Sequence, residues 1–411
     1  LETGNVFDVL KERGFIQQVT DEDEIRAILG SEKVTSYIGF DPTADSLHAG
    51  SLMPIMAMKH LQRHGHHPIA VIGGGTAMVG DPSGKTEMRK MLLQDVIKAN
   101  GEKFKAQFGK YLDFERGKAS FVDNSDWLLE LKYVDFLRDI GKHFSVNKML
   151  AVESYKIRLE TGLSFLEFNY QLLQAYDFLM LIRTKNCILQ MGGDDQWGNI
   201  VAGIDLIRRL ESKRSFGITF PLLTTANGKK MGKTEKGALW LDADKTSPYE
   251  FYQYWINVDD RDVGKFLAFF TFLPMDEIKK LKELQGADLR KAKQILAYEA
   301  TKITHGEEEA KKAEQTSRSA FGNGGGDIGG MPATKMAKSE IEKGINIVDL
   351  MATVKLVASK SEARRLIKQG GCYVNEKRIQ SIESIIDLTS LENSSLILRA
   401  GKKRYHRVIF S

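Results

Sequence analysis

Four short stretches of this 411-residue chain carry side chains whose types and spacing could do chemistry. In the first, Asp41-Pro-Thr43-Ala-Asp45-Ser46-Leu-His48-Ala-Gly50-Ser51 runs into an apolar-periodic segment, so His48 and Ser51 share the first turn of a helix expected to be capped by Asp45 or Ser46. Exposed N–H groups at such a terminus attract anions, and a phosphate could dock there; a packed or solvated histidine is the plainer alternative. In the second, Tyr170, Gln174 and Asp177 fall at i, i+4 and i+7 of Ser164 to Ile182, a segment apolar nearly all round. Such a helix is buried, and its polar groups need partners from the protein or a ligand, unless the stripe is a narrow solvent-facing one. In the third, Gly193, Asp194, Asp195 and Gln196 follow the apolar run Cys187 to Met191. The paired carboxylates suggest a metal, but no histidine or further carboxylate clusters beside them in sequence. In the fourth, Lys230-Met-Gly-Lys233-Thr234 offers two ammonium groups and a hydroxyl that could close over a triphosphate, whereas a short basic loop on its own is merely solvated.

Two other patterns mislead. Gly80 to Thr86, GDPSGKT, places three residues between its first glycine and Gly84-Lys85, where a P-loop requires four, so a P-loop NTPase is rejected. Asp81, Lys85 and Arg89 still follow a strand end and flexible glycines; Lys85 and Arg89 read equally well as a solvated helix face. His60, His64, His66 and His67 have metal-like spacing but no acidic or cysteine partner, and they sit at a helix end, where cations suit the dipole. No dedicated metal site is expected.

Positioning these groups requires strand ends. Runs at Val34 to Phe40, Pro68 to Gly73, Ser120 to Val122, Cys187 to Met191 and Ile218 to Leu223 alternate with helix-like segments, which predicts an α/β fold with a doubly wound, Rossmann-like parallel sheet. Ligands bind such sheets at the carboxyl ends of the strands. Ser247-Pro248 reads as N-cap and first helical residue, and helical patterns follow from Met275, Asp288 and Gly306. Phe321 to Met331 holds six glycines in eleven residues and reads as a flexible linker. Beyond it a helix is expected at Ser361 to Gln369, with strands at Cys372 to Val374 and Ser395 to Leu398. The expected domains are 1–223 (catalytic), 224–246 (a mobile basic loop and connection), 247–320 (helical), 321–344 (linker) and 345–411 (a small α+β module).

Composition narrows the class. With 42% hydrophobic and 27% charged residues, the chain is neither disordered, collagen-like nor membrane-embedded. Cys187 and Cys372, the two cysteines, exclude a disulfide framework or a cysteine-built zinc site. No apolar stretch approaches membrane-spanning length, and Leu1 to Phe15 lacks a basic region leading into an apolar one, so a cytoplasmic protein without a membrane partner is expected. The formal charge is +5, yet residues 345–411 hold 12 Lys+Arg against 6 Asp+Glu, leaving 47 against 48 upstream. The positive balance therefore lies wholly in this last module, a candidate for binding a polyanion.

His48-Ala49-Gly50-Ser51 resembles the first signature (HIGH) of class I aminoacyl-tRNA synthetases, and the words GFDPTADSLH that lead into it from Gly39 resemble the bacterial-type tyrosyl-tRNA synthetase family. Ser51 departs from it: a hydroxyl stands where the signature ends in histidine. Lys230 to Thr234 resembles the second signature (KMSKS), and Ser164 to Ile182 is similar to that family's tyrosine-binding helix. Leu356 to Ile379, with Lys360, Arg364, Arg365 and Lys368 along a short helix, resembles the S-four-like RNA-binding module shared with a small-subunit ribosomal protein.

The resemblance covers the chain from about Asn5 and implies ATP-dependent loading of tyrosine onto tRNA(Tyr) through a tyrosyl-adenylate. It implies Tyr37 and Asp177 on the substrate phenol, and Asp81, Tyr170 and Gln174 on its ammonium, with Gln196 near the reacting carboxylate. ATP would meet Gly39, Asp41, His48, Gly50 and Ser51, with Gly193 and Asp195 on the ribose and Lys85 and Arg89 towards the pyrophosphate. His48, Thr43, Lys230, Lys233 and Thr234 would stabilise the reacting phosphate. Mg²⁺ would arrive bound through ATP, residues 247–320 would bind the anticodon, and a homodimer is implied by the family alone. Two other readings stand beside this one: a tryptophanyl-tRNA synthetase, which the Tyr37/Asp177 pair and the basic module oppose, and a synthetase-derived RNA-binding protein such as a splicing cofactor, with Ser51 as its sign of decay.

Overall fold

The computed structural model describes residues 2–83, 91–228, 230–234, 237–286, 288–321, 333–392, 394–401 and 404–411. Its chain divides into two units: Leu1–Thr246 with Val258–Leu296, and Ser247–Asn257 with Ala297–Ser411.

The first unit is built on a six-stranded sheet, counted among the described residues: β1 (Gln18–Val19), β2 (Thr35–Phe40), β3 (His67–Ile72), β4 (Ser120–Asp123), β5 (Cys187–Gly193) and β6 (Phe216–Phe220). Their order is β1-β6-β5-β2-β3-β4, all parallel except β1, which runs antiparallel to β6 at the edge. All five predicted strands are present within a few residues of their expected bounds. β1 was not foreseen, since its two half-buried residues, Gln18 and Val19, carry no hydrophobic run to betray them. Central strands read as near-continuous apolar runs because both faces are covered. The chain builds outward from β2 through β3 to β4, then returns to lay β5 on the other side of β2. The carboxyl ends of β2 and β5 therefore flank the topological switch point, where an open α/β sheet leaves a crevice.

Helix α1 (Ala49–Arg63) follows β2, α2 (Gln94–Phe108) precedes β4, and α3 (Tyr170–Lys185) and α4 (Trp197–Glu211) flank β5. The segment expected to form one buried helix from Ser164 is instead two, Phe165–Phe168 and α3, broken at Asn169. A capping box between Ser164 and Glu167 starts the first, and Phe165 and Leu166 face outward at 68% and 38% exposure. Apolar character there does not report burial.

The helical block expected at 247–320 is divided. The unforeseen helix Val263–Phe270, VGKFLAFF, is apolar enough to require burial, and it belongs to the first unit. Phe269 packs edge-on against Phe15, and Arg13 donates to the carbonyls of Ala268 and Thr271, both at 3.0 Å. In the second unit Pro248–Ile256 opens with the predicted Ser247 cap, completed by Glu250 into a capping box, and packs along Glu307–Phe321, with Gln253 donating to Ser317 at 2.9 Å.

The remaining residues of the second unit form a five-stranded sheet among those described, in the order Lys377–Arg378, Cys372–Val374, Ser395–Ala400, Arg404–Phe410, Ala333–Met336. Most of the expected linker core, 322–332, lies outside the described residues, but 333–336 is a strand parallel to Arg404–Phe410, and Lys338–Glu342 is helical. The module thus begins by Ala333 rather than at 345. ATKM is four residues long, too short for its pattern to be read as a strand.

Candidate active site

A cavity of about 340 Å³ opens at the switch point, lined by Tyr37 and Gly39 of β2, by Asp41 and Thr43 just beyond it, and by His48, Gly50 and Ser51 at the start of α1. Asp81, the α3 residues Tyr170, Gln174 and Asp177, and the β5 end Gly193, Asp195 and Gln196 complete it. Every described residue expected in the tyrosine site and most of those expected to meet ATP line this one space. Gly39 is exposed on a central strand, so the cavity reaches the backbone of β2.

At the floor, Asp177 is 4% exposed and accepts from Asn124 Nδ2 at 2.9 Å and Trp127 Nε1 at 2.7 Å. Burial pushes its carboxyl up to about 7, against the pull of those two donors. Tyr37, whose ring packs 5.3 Å from that of Phe178, is also buried, and its hydroxyl has no hydrogen-bond partner among the described residues. Burial and the nearby Asp177 hold it well above the usual phenol range, so it is a neutral donor at any physiological pH.

A second network runs up one wall. Asp81 accepts from Ser83 N–H at 2.8 Å and from Gln196 Nε2 at 2.7 Å, and burial raises it to about 6. Asn199 donates to both Gln196 Oε1, at 3.1 Å, and Gln174 Oε1, at 3.0 Å, fixing which way the two amides point. Tyr170 donates to Asp41 Oδ2 at 2.9 Å, while Thr76 donates to Oδ1 of the same carboxylate at 2.7 Å and itself accepts from Asn124 at 3.0 Å. Gly73 is required where this network crosses the end of β3, because a Cβ there would overlap Asp41 Oδ1 and Thr76 Oγ1.

The α1 cap differs from the expectation. Neither Asp45 nor Ser46 caps it: His48 does, accepting through Nδ1 from Gly50 N–H at 3.0 Å. Asp45 and Ser46 lie too early, because the turn from Pro42 delays the first helical residue to Ala49. A neutral His48 imidazole capped this way carries its proton on Nε2. Ser51, one residue past Gly50, keeps its own N–H on the His48 carbonyl at 2.7 Å.

The basic second stretch lies beside this helix start. Lys230 bridges to Thr224, Lys233–Thr234 pairs antiparallel with Gly237–Ala238, and the Gly232 backbone lies against Ala49. Lys85 and Arg89 lie outside the described residues. The histidine cluster dissolves into separate tasks: His60 is buried between Phe15 and Phe272, His66 accepts from Val34 N–H at 3.2 Å, and His67 engages Gly117 and Ser120. Burial lowers His60 to about 3 and His66 to about 4, so neither of these two supplies the cation expected at the helix end, where Arg63 stands in the last turn. Asp194 accepts from Gln18 at 2.7 Å and Thr219 at 3.1 Å, pinning the sheet edge rather than facing the cavity.

Residues missed in the sequence are Asn124, Trp127, Thr76 and Asn199, which hold the cavity's carboxylates and amides, and Gln190, whose buried Oε1 has no partner among the described residues. Asn124 and Thr76 stand just past strand ends, the one signal that could have found them. In the second unit, the helix Lys360–Lys368, capped by Ser359, presents Lys360, Arg364, Arg365 and Lys368 to solvent and buries Ala363 and Ile367. Lys360 pairs with Asp349 at 2.9 Å.

A doubly wound sheet whose switch-point crevice is flanked by the His48-capped start of α1, with the basic stretch beside it, is the arrangement of a nucleotide-binding α/β domain. Residues 30–322 match the model of tRNA synthetases class I (W and Y), and residues 327–408 match the tyrosine–tRNA ligase SYY-like C-terminal domain, so the chain belongs to the class I tRNA synthetases of that kind. It is 56% identical over 405 residues to the tyrosine–tRNA ligase of Clostridium botulinum strain Loch Maree, covering 98% of this chain and 99% of that one. The tyrosine–tRNA ligase of Acetivibrio thermocellus is 56% identical over 404 residues, with the same coverage. Among solved structures, a C-terminally truncated mitochondrial tyrosyl-tRNA synthetase of Aspergillus nidulans superposes with a TM-score of 0.70 at 32% identity, covering 78% of this chain and 95% of that one. The tyrosyl-tRNA synthetase of Archaeoglobus fulgidus, 18% identical with a TM-score of 0.58 over 75% of this chain and 99% of that one, shares the fold.

Proposed function

We propose that the chain is a tyrosine–tRNA ligase that activates L-tyrosine with ATP and transfers it to tRNA(Tyr). The observation that carries the choice of amino acid is the cavity floor. Asp177 can accept a hydrogen bond from a substrate, and Tyr37 has a hydroxyl to donate. A phenol O–H satisfies both, because it is donor and acceptor at once; an indole N–H donates only, and a phenyl ring does neither. Tryptophan or phenylalanine would leave Tyr37 buried and unpaired, at a cost in binding.

Above the floor, Asp81, Tyr170 and Gln174 take the ammonium, and Gln196 lies towards the carboxylate. ATP lies across the strand ends with Gly39 and Asp41 beneath it, its ribose on Gly193 and Asp195 and its phosphates at Thr43, His48, Gly50 and Ser51. The tyrosine carboxylate oxygen attacks the α-phosphorus, the bond to the β-phosphate oxygen breaks, and pyrophosphate leaves. His48 Nε2–H and the Thr43 hydroxyl meet the charge that develops on the α-phosphate, while Lys230, Lys233 and Thr234, with Lys85 and Arg89, meet the departing pyrophosphate. Mg²⁺ supplies charge neutralisation to the phosphates through ATP itself. A ribose hydroxyl at the 3′ end of the tRNA then attacks the acyl carbon and releases AMP, with no covalent enzyme intermediate.

Lys360, Arg364, Arg365 and Lys368 give the tRNA phosphates a cationic face, and the helices Pro248–Ile256 and Glu307–Phe321 of the same unit a helical surface for the anticodon. A homodimer is supported by the concentration of exposed apolar side chains between β4 and β5, Tyr133, Val134 and Phe165 among them. Among the described residues no helix is long and apolar enough to cross a membrane, which accords with a cytoplasmic enzyme. ATP–pyrophosphate exchange measured with tyrosine, tryptophan and phenylalanine in parallel tests the assignment: tyrosine alone should support exchange, and exchange driven by tryptophan would overturn it.

A further inference from the structure

Asp45, freed from the capping role its position suggests, has another. It stands three residues before His48, at the cavity's rim, and its carboxylate meets Lys245 at 2.7 Å and Lys103 of α2 at 3.3 Å. The Lys245 ammonium in turn lies 5.3 Å from the ring centre of Trp240. Trp240 is bridged antiparallel to His48, with the two rings 6.4 Å apart edge to face.

Around this bridge, residues 239–241 form a short antiparallel ribbon with residues 47–49: Ala49 N–H donates to Leu239 at 2.8 Å and Leu241 N–H to Leu47 at 2.9 Å. Leu239 N–H also donates to Gly232 at 2.7 Å, and Gly232 lies so close to Ala49 that a Cβ would come within 3.1 Å of the alanine's own. The ribbon therefore ties the basic stretch containing Lys230 and Lys233 to the residue that caps α1. Backbone pairing sets the register, Thr246 Oγ1 accepts from Trp240 N–H at 3.1 Å and Gln107 Oε1 from Leu47 N–H at 2.9 Å, and Asp45, Lys245 and Trp240 form the charged and aromatic link between the ribbon's far end and the approach to His48.

We propose that Asp45 is a positioning residue for adenylate formation: through Lys245 and Trp240 it holds the His48 ring and the basic stretch in one fixed relation. This rests on the function proposed above. Asp45 touches none of the reacting groups and lies outside the cavity lining. Both members of the pair are about one third exposed, so the contact adds little to stability, whereas catalysis depends on placement to within a fraction of an ångström.

Asp45→Asn, Lys245→Met and the double variant separate these effects. Each single variant should keep the wild-type melting temperature and tyrosine dissociation constant while lowering kcat for tyrosine-dependent pyrophosphate exchange by roughly 5- to 20-fold, a modest part of what misplacement of a reacting group can cost. The double variant should lose no more than the worse single one, because both cut the same chain of contacts, and Asp45→Glu should recover most of the rate. Unchanged kcat in Asp45→Asn, multiplicative losses in the double variant, or an equal loss in tyrosine affinity would each overturn the proposal. Absence of exchange in the wild-type protein would instead overturn the function on which it rests.

Discussion

Asp177 is costly to the free protein. Its raised pKa means that the folded chain binds a proton there more readily than the unfolded chain, whose carboxyl titrates near 4. Asp81, at about 6, behaves alike. Between pH 4 and 7 the folded state therefore holds more protons than the unfolded one, and stability falls as pH rises through this window. Tyrosine binding should follow the opposite sense, since the ionised carboxylates are the forms that attract its ammonium and accept its phenol. The stabilisation that saturating tyrosine gives in a melting experiment is expected to grow from pH 5.5 to 8; a gain independent of pH would refute ionised Asp81 and Asp177 as the binding forms. At pH 8, Asp177→Ala should weaken tyrosine by about 1.5–3 kcal/mol, the worth of a hydrogen bond to a charged group, read by calorimetric titration. Tyr170, Gln174 and Asp177 were legible in the sequence because one helical stripe displays them at regular spacing. Asn124 and Trp127, which share the one short turn after β4, and Asn199 in α4 were not, because only the folded sheet brings them to a carboxylate or an amide.

The elements owe their legibility to the parallel sheet, whose doubly covered strands advertise themselves as apolar runs. What the runs could not convey is how the joint before α3 is held. Tyr155 bridges it, its hydroxyl donating to the Phe168 carbonyl at 3.0 Å and accepting from Gln171 N–H at 3.3 Å. Beside it Arg158 grips Glu167 through a buried pair, 2.9 Å and 3.0 Å to the two carboxylate oxygens, and Glu167 also accepts from Ser164. The side chains are 3% and 2% exposed, so removing one charge strands the other. Arg158→Ala should destabilise the first unit by about 3–5 kcal/mol in denaturant unfolding, and an Arg158→Met, Glu167→Leu pair should recover most of that. If the single variant unfolds like the wild type, the pair does not fasten this joint.

At the scale of the whole molecule, the net charge of +5 resolves into a near-neutral body and a cationic last module. The boundary was misplaced by the glycine run: its polar flank, Ala333–Met336, is a strand recognisable only by its partner some seventy residues later. A chain ending at Phe321 should therefore retain tyrosine-dependent pyrophosphate exchange and lose most tRNA charging, since it keeps the cavity and removes the whole module. Full charging by that truncated protein would show that the module does not hold the tRNA.

The same pairing bears on how such a protein is made. Arg404–Phe410 is an inner strand, flanked by Ser395–Ala400 on one side and Ala333–Met336 on the other. A polypeptide released early, anywhere between Met336 and Arg404, leaves one flanking strand without its neighbour and the other absent or with a bare edge. Such fragments cannot complete the sheet that backs the cationic helix, so a prematurely terminated product would be a poor competitor for tRNA and a ready substrate for proteolysis.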